Sequence, residues 1–212
     1  MRSLVQGVGV NDADYVVCIT ECLEERLPSG RKKRRSVWQC PYYSRWCSML
    51  QRCYSKRLHK RRPTYSDCTV CDEWLLFSNF REWMVTKEWE GKDLDKDILF
   101  EDNKVYSPTK CVFVTPMLNK FLLDSGASRG KYLLGVDWKP SNNKFQARCS
   151  NPITKKYEYL GLFNTEVEAH LVWKVRKKEI ASQLITKRYI TDIQVISAVR
   201  ARFMIGDYYD FK

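Results

Sequence analysis

The sequence predicts an α+β protein built from two units and a C-terminal tail. Apolar residues recur at three- and four-residue spacing from Tyr43 and again from about Asp72, which is typical of helices with one buried face. Three segments of alternating apolar and polar residues then lead into a further helical pattern near the C-terminus. Between the two halves, DSGASRG at 124–130 has the small and polar composition of a linker.

The first unit is expected to contain two helices and several short strands. Segment 1–38 is weakly patterned and ends in a basic run, although YVVCITECL within it reads as a short strand. The domain proper, 39–125, is predicted to hold the two helices, a short strand at CTVC, two β-like pieces at KVYS and CVFV, and a helix over 116–123.

The second unit, 126–186, is predicted to consist of three strands and one helix. The strands are expected over 132–139, 144–150 and 157–163, separated by the turn-rich stretches PSNN and NPITKK. Thr165 is placed to cap the helix that follows. The tail, 187–212, has a cap-like Thr191 before a short apolar run.

Positive charge is concentrated in two short runs. The chain has 37 Lys and Arg against 25 Asp and Glu, a net charge of +12. RKKRR at 31–35 and KRLHKRR at 56–62 together hold ten basic residues and no acidic ones. Such concentrated charge favours a polyanion as partner, because neutralised phosphates release counterions, although a solvated surface is the alternative. The candidate phosphate contacts are Arg31, Lys32, Lys33, Arg34, Arg35, Arg61 and Arg62.

The chain has no signal for a membrane or for secretion. No stretch approaches the roughly 18 apolar residues of a membrane helix, and Asp12 and Asp14 interrupt the N-terminal segment. We therefore expect a cytoplasmic protein. Nine cysteines, an odd number, argue against a disulfide framework. Buried free thiols are favoured over structural Zn²⁺, whose candidate ligands are Cys40, Cys53, Cys68, Cys71 and Cys111.

Four short motifs follow one another in the second unit: GV before an aromatic-basic strand, then K-F-x-A, then Y-L-G-x-F-x-T, and finally E-A in a helix. They lie in the string YLLGVDWKPSNNKFQARCSNPITKKYEYLGLFNTEVEAHLVW. Over about sixty residues it resembles the AP2 DNA-binding domain. The resemblance implies a three-stranded antiparallel sheet packed on one helix, with the sheet in the major groove of double-stranded DNA. Plant members of that family carry Arg where this chain has Asp137, Ser150 and Tyr157, so their target sequences do not transfer.

Strand alternation predicts which residues of this sheet face the DNA. Phe145, Ala147, Leu160 and Phe163 are expected to pack on the helix. The open face is expected to carry Trp138, Lys144, Gln146, Arg148, Tyr157 and Tyr159, and Lys139 is a further candidate DNA contact. Arg and Gln are suited to bidentate contacts with base edges.

Three strings in the first unit carry a second resemblance: W-x-x-M-L-x-R-C-Y, CDEW-x-x-F-x-x-F-x-x-W, and LDKDILFEDNKVYSPTKCVFVTPMLN. With the C-terminal unit they resemble bacteriophage proteins of the HNH homing-endonuclease type that carry an AP2 domain, over roughly 38–186. The resemblance implies a ββα-metal core with N-terminal helices. Asp95 matches a metal-ligand Asp, Asn103 the central Asn that fixes the loop, and Asn119 the ligand on the helix.

One position departs from the HNH pattern. Lys96 stands where the general-base His is expected, and a lysine, whose pKa is ordinarily about 10.4, could act as a base only if burial lowered that value strongly. Flanking Asp95 and Asp97 should raise it instead. We therefore expect Lys96 to contact the scissile phosphate, with Mg²⁺ or another divalent cation held by Asp95, Asp97 and Asn119.

The acidic composition around this motif supports a cation site. Residues 71–105 hold ten acids against five bases in an otherwise basic chain, and carboxylates near a phosphodiester call for a cation between them. Solvated turn residues in a degenerate fold are the alternative. The expected function is metal-dependent cleavage of DNA in the cytoplasm of a bacterial host. A DNA-binding regulator without nuclease activity, and a phage protein that inhibits a host defence protein, remain alternatives.

Overall fold

The described chain, residues 4–123 and 131–205 of a computed structural model, divides between two units of mixed helix and strand. Unit 1 runs to Asp97 and includes Glu101–Phe113, and unit 2 consists of Ile98–Phe100 and the chain from Val114 onward. The α+β class is thus confirmed. The linker expected at 124–130 lies outside the described residues. No described helix has the length and apolar character needed to cross a membrane.

Aromatic residues at helical spacing form the core of unit 1. Helix α1 (Pro41–Tyr54) buries Trp46, Met49, Leu50 and Cys53. A single 3₁₀ turn (Asp72–Leu75) and helix α3 (Phe77–Val85) bury Trp74, Phe77, Phe80 and Met84 against it. The indole Nε1 of Trp46 donates to the carbonyl of Trp74 at 2.7 Å. Both predicted helices are confirmed, because the periodic apolar face is what buries them.

Short strands and a small helix complete this region. Helix α2 (Lys56–Arg61) follows α1 directly, with Ser55 as its N-cap. Strand β3 (Thr69–Val70) pairs in parallel with β5 (Val105–Tyr106), and β4 (Asp93–Asp95) pairs with β6 (Val112–Val114). The strands expected at CTVC, KVYS and CVFV are therefore present.

The N-terminal segment is more ordered than its weak pattern predicted. Strands β1 (Cys18–Arg26) and β2 (Lys32–Gln39) form an antiparallel hairpin, so the basic run 31–35 lies largely in a strand. Ahead of it, the Val10 amide donates to the Leu75 carbonyl at 2.8 Å. Gly9 packs so closely on α1 that an added Cβ would lie 2.4 Å from Leu50 Cδ1.

Unit 2 is built around a three-stranded antiparallel sheet. Helix α4 (Pro116–Leu122) belongs to this unit, although the sequence placed 116–123 in the first domain. Strands β7 (Val136–Lys139), β8 (Lys144–Asn151) and β9 (Lys156–Phe163) are adjacent in chain order. Helix α5 (Glu166–Thr186) packs on the sheet. Helix α6 (Ile193–Arg200) is capped by Asp192 rather than by Thr191, and a π-helical turn (Ala201–Ile205) follows it.

The contact between α5 and the sheet depends on a glycine. Gly135, just before β7, has φ of +77°, and a Cβ there would lie 2.0 Å from Cδ1 of Trp173. Trp173 stacks on His170, whose Nδ1 lies 2.9 Å from the Leu134 carbonyl oxygen. Only glycine lets the tryptophan ring approach the backbone at this point. One face of the sheet is thereby closed and the other left open.

Candidate nucleic-acid interface and acidic turn

The open face of the β7–β9 sheet carries polar and aromatic side chains. Residues directly opposite each other in an antiparallel pair lie on one face. The register pairs Lys139 with Lys144, Asp137 with Gln146, Arg148 with Tyr159 and Ser150 with Tyr157. Tyr157 is 75% exposed and Tyr159 is 61% exposed. Large exposed rings beside basic and amide groups match the face expected from the sequence.

Trp138 is not on this face, and the prediction that placed it there is wrong. It lies opposite Phe145 in the register, and the two rings meet edge to face with centroids 4.8 Å apart. Val136, two positions earlier, is buried with Ala147 and Ala169 beneath α5. Because Trp138 and Val136 are two positions apart on one strand, their side chains lie on the same face, and Trp138 extends the closed side of the sheet.

Arg148 is exposed and is oriented by a partner that the sequence analysis did not identify. Its Nε donates to Asp137 Oδ2 at 3.0 Å, and Nη2 contacts the same oxygen. Both side chains are about half exposed, at 49% for Arg148 and 48% for Asp137. The ion pair restricts the guanidinium while leaving Nη1 available to donate to a ligand. Asp137 is one of the positions where plant AP2 members carry Arg.

A second ion pair fixes the sheet from its closed side. Arg176 of α5 donates from Nε to Glu158 Oε2 at 2.6 Å and from Nη2 to Oε1 at 3.0 Å. Asn151 donates to Glu158 Oε1 at 2.8 Å. The hydrogen bonds from Arg176 hold the pKa of Glu158 below its usual value. Strand β9, which presents Tyr157 and Tyr159, is thereby tied to both β8 and α5.

In unit 1 a closed turn follows β4. Lys96 is 5% exposed, and its Nζ donates to Asp97 Oδ1 at 2.5 Å and to the Asn103 carbonyl at 2.6 Å. Asn103 Nδ2 returns a hydrogen bond to the Lys96 carbonyl at 2.8 Å and donates to the Val105 carbonyl at 2.8 Å. Asn103 therefore joins the two ends of the turn, the geometry required of a residue that fixes the loop.

The rise in pKa expected for Lys96 is confirmed. Burial alone would lower its pKa, but the hydrogen bond and charge of Asp97 outweigh burial, so the pKa lies above the usual lysine value. A protonated ammonium cannot act as a general base. In this structure Nζ is buried and donates to two oxygens, and the expected contact with a scissile phosphate stays a prediction.

The acidic groups of the turn are more accessible than Lys96. Asp97 is exposed, and Asp95 is half-buried and accepts a hydrogen bond from the Asp97 amide at 2.7 Å. Asn119, the third predicted ligand, lies on α4 in unit 2. Across 4–123 and 131–205, no three His, Cys, Asp or Glu side chains form a group that could hold a metal ion. The two aspartates alone still suit Mg²⁺, which often takes only one or two protein carboxylates.

The cysteines are free thiols, all nine within the described residues. Cys40, Cys53, Cys68 and Cys111 are buried, and Cys71 is half-buried. Burial raises the pKa of Cys53 and of Cys111 to about 12. Four of the five candidates therefore lie in the protein interior.

The two basic runs have different settings. Lys32, Lys33, Arg34 and Arg35 extend along β2, where every residue is exposed, and Arg31 lies in the turn before it. Carboxylates of β1 pair with Lys33 and Arg35. The charges mirror one another about the PSG turn, as ECLEER and RKKRR, and this pattern could have predicted the hairpin. Arg61 and Arg62, at the end of α2, are exposed.

Comparison with protein-family models, with curated proteins and with solved structures gave no match for this chain.

Proposed function

We propose that this chain binds double-stranded DNA through the open face of the β7–β9 sheet. The observation that carries the proposal is the contrast between the two faces. One is sealed by α5 through Val136, Ala147 and Ala169. The other exposes Tyr157, Tyr159 and Arg148, flanked by Lys139 and Lys144. Exposing two tyrosine rings to water has no benefit for folding, so the face is suited to a partner.

The chemistry of the face favours nucleic acid as that partner. Arg148 and Gln146 carry the donors used in base-edge contacts, and the tyrosine hydroxyls can bond phosphate oxygens. Residues 126–186 contain eleven Lys or Arg and five Asp or Glu, a net charge of +6. That excess supplies the sequence-independent attraction on which such contacts depend.

The test is selection from a random duplex pool by the full chain, with sequencing of the retained DNA. We expect an enriched motif. Arg148→Ala should then reduce preference for that motif by about 1–3 kcal/mol if the side chain contacts a base. The matched control is Lys187→Ala, which removes one charge beyond the end of α5 and should change preference little. Failure of the wild-type chain to retain duplex DNA would overturn the proposal and favour a protein-binding role.

Metal-dependent cleavage of the bound DNA is a second candidate. The observation that favours it is the turn closed by Asn103, which presents Asp97 and part of Asp95 at the surface. Those two residues would hold a hard divalent cation, which on binding would supply Lewis-acid stabilisation of a phosphodiester. Lys96 would position the turn, because its ammonium joins Asp97 to the Asn103 carbonyl.

This candidate is tested by incubating the full chain with the selected DNA in Mg²⁺ or Mn²⁺ and sequencing any new ends. Asp95→Asn should abolish cutting and leave DNA affinity nearly unchanged. The control is Asp72→Asn, which removes an acidic side chain that lies outside the turn. Protected sites without new ends would leave the chain as a DNA-binding regulator.

A further inference from the structure

The β1–β2 hairpin carries its charge unevenly. Between Cys18 and Gln39 there are six Lys or Arg and three Glu, a net charge of +3. Within the part of the chain that the structure describes, Lys33 pairs with Glu25 at 2.8 Å and Arg35 pairs with Glu21. Lys32 lies 3.8 Å from Glu24. The three arginines Arg26, Arg31 and Arg34 have no carboxylate partner among residues 4–123 and 131–205, so they account for the excess.

The register separates these groups between two faces. Cys22 lies opposite Arg34, and Arg26 lies opposite Lys32, so these four residues share one face. Glu21 lies opposite Arg35, and this pair occupies the other face. Arg31, Lys32 and Arg34 line one depression of about 620 Å³, together with Cys22 and Leu27. We name the side of the hairpin that bears Arg26, Arg31, Lys32 and Arg34 the arginine face.

Neither hydrophobic burial nor internal ion pairing explains the three arginines of the arginine face. Every residue of β2 is exposed, and at the base of the ribbon the Cys40 amide donates to the Val17 carbonyl at 2.9 Å. Arg26 donates from Nη1 to the Gly30 carbonyl at 2.8 Å, which holds the guanidinium near the turn without neutralising its charge. Like charges held together on one surface repel, and an anionic ligand removes that cost.

We propose that the arginine face binds the phosphate backbone of double-stranded DNA, whereas the Glu21–Arg35 face does not. The inference rests on the DNA-binding function proposed above and adds a second surface, in unit 1. Guanidinium groups bind phosphate oxygens bidentately. A two-stranded ribbon is also narrow enough to enter the major groove of B-form DNA. The contact is independent of base sequence, because phosphates carry no sequence information directly.

The experiment measures how the affinity of the full chain for the selected duplex depends on salt. Arg31→Gln with Arg34→Gln removes two phosphate contacts, so the slope of log K against log salt should flatten by about 1.8, roughly 0.9 for each contact. The loss should be the same on the selected and on an unrelated duplex. The charge-matched control is Lys33→Gln with Arg35→Gln, from the same strand but in ion pairs, and it should change the slope by less than half as much.

The outcomes separate this inference from the proposed function. Equal slope changes for the two double variants would overturn the proposal for the arginine face, because the basic run 31–35 would then act only through its total charge. An unchanged slope for Arg31→Gln with Arg34→Gln would also overturn it, while leaving DNA binding by the sheet intact if Arg148→Ala still lowers preference. Tighter binding of a duplex RNA than of DNA would overturn the assignment to DNA. Because all four side chains are exposed, the variants should keep the wild-type melting temperature.

Discussion

Lys96 illustrates how one side chain can satisfy a structural role where its neighbours suggest a catalytic one. Its ammonium bridges Asp97 and the Asn103 carbonyl inside a turn that Asn103 closes from the other side. The surrounding carboxylates keep the amine protonated despite its burial. The turn is thus held by a charge-assisted hydrogen-bond network, and its exposed atoms belong to the aspartates.

We therefore expect Lys96→His to lower stability without creating nuclease activity. The imidazole is too short to reach both oxygens, which leaves the buried Asn103 carbonyl unsatisfied at a cost of about 1–3 kcal/mol. The measurement is the free energy of unfolding in urea, with cleavage of the selected duplex assayed alongside. Lys104→His, on the exposed lysine directly after Asn103, is the control. Increased cleavage by Lys96→His would show that the position can serve as a general base.

We expect Lys177 to make the stability of the folded protein depend on pH. Its Nζ donates to the Phe121 carbonyl at 2.6 Å and lies 3.6 Å from the centre of the Phe121 ring. Burial lowers the pKa of Lys177 to about 8, from 10.5 in the unfolded chain. Between these values the unfolded chain binds the proton and the folded chain does not. This group therefore makes the protein more stable as pH rises from 8 to 10.5.

The prediction is tested against Lys177→Met, which removes the titration. The free energy of unfolding of wild type, minus that of the variant, should increase by about 1.4 kcal/mol per pH unit in this window. The difference cancels the opposite contribution of buried tyrosines and cysteines, whose raised pKa values favour the folded state at lower pH. A difference that stays constant from pH 7 to 10 would show that Lys177 titrates normally.

At the scale of elements, the N-terminus of α5 has a complete capping box. Thr165 Oγ1 accepts from the Glu168 amide at 3.2 Å, and Glu168 Oε2 accepts from the Thr165 amide at 3.1 Å. Thr165→Ala should destabilise the protein by about 1 kcal/mol, because the Glu168 amide loses its hydrogen-bond acceptor. Thermal unfolding provides the measurement, and Thr154→Ala, in the β8–β9 turn, is the control. Equal losses of stability in the two variants would mean that the capping box makes no specific contribution to the stability of α5.

Local signals made most elements predictable. The apolar stripes of α1 and α3 and the cap at Thr165 are each contained within a few residues, and all three are present in the structure. The buried face of the sheet was harder to predict, because successive residues of a strand alternate between two faces and the sequence does not show which face is buried. Here the turn between β7 and β8 fixes the register of the two strands. Asn143 in this turn has a left-handed backbone, with φ of +49°, and the register places Lys139 opposite Lys144 and Trp138 opposite Phe145.

Contacts between distant residues were not predictable from pattern. Asp137 and Arg148 meet only because β7 and β8 pair in this register, and Lys96 reaches Asn103 only when the turn closes. The aspartates of the candidate cation site were identifiable from composition, whereas the burial of the lysine between them was not. The sequence therefore located the acidic turn and the direction of the Lys96 pKa shift, but not the burial of that lysine inside the turn.

At the scale of the whole molecule, the thiols report which parts of the fold exclude solvent. Cys22 is exposed on the hairpin, whereas Cys40, Cys53, Cys68, Cys111 and Cys149 are buried. A thiol reagent should modify Cys22 first and the five buried thiols only in denaturant, because burial blocks access of the reagent to the sulfur. Mass spectrometry of the labelled peptides measures the order. Faster labelling of Cys53, Cys68 or Cys111 on addition of a chelator would instead indicate bound zinc.

The docking of the N-terminal segment has a consequence for synthesis on the ribosome. Asp12 accepts hydrogen bonds from the amide and hydroxyl of Ser78, which lies 66 positions later. Gly9 packs on Trp46 and Leu50, and Val10 bonds to Leu75 and Phe77. The segment emerges from the ribosome well before its partners are translated. In a nascent chain that ends before Leu75, the segment around Gly9 therefore cannot dock, and the indole of Trp46 is exposed. During that interval a chaperone can bind this apolar surface.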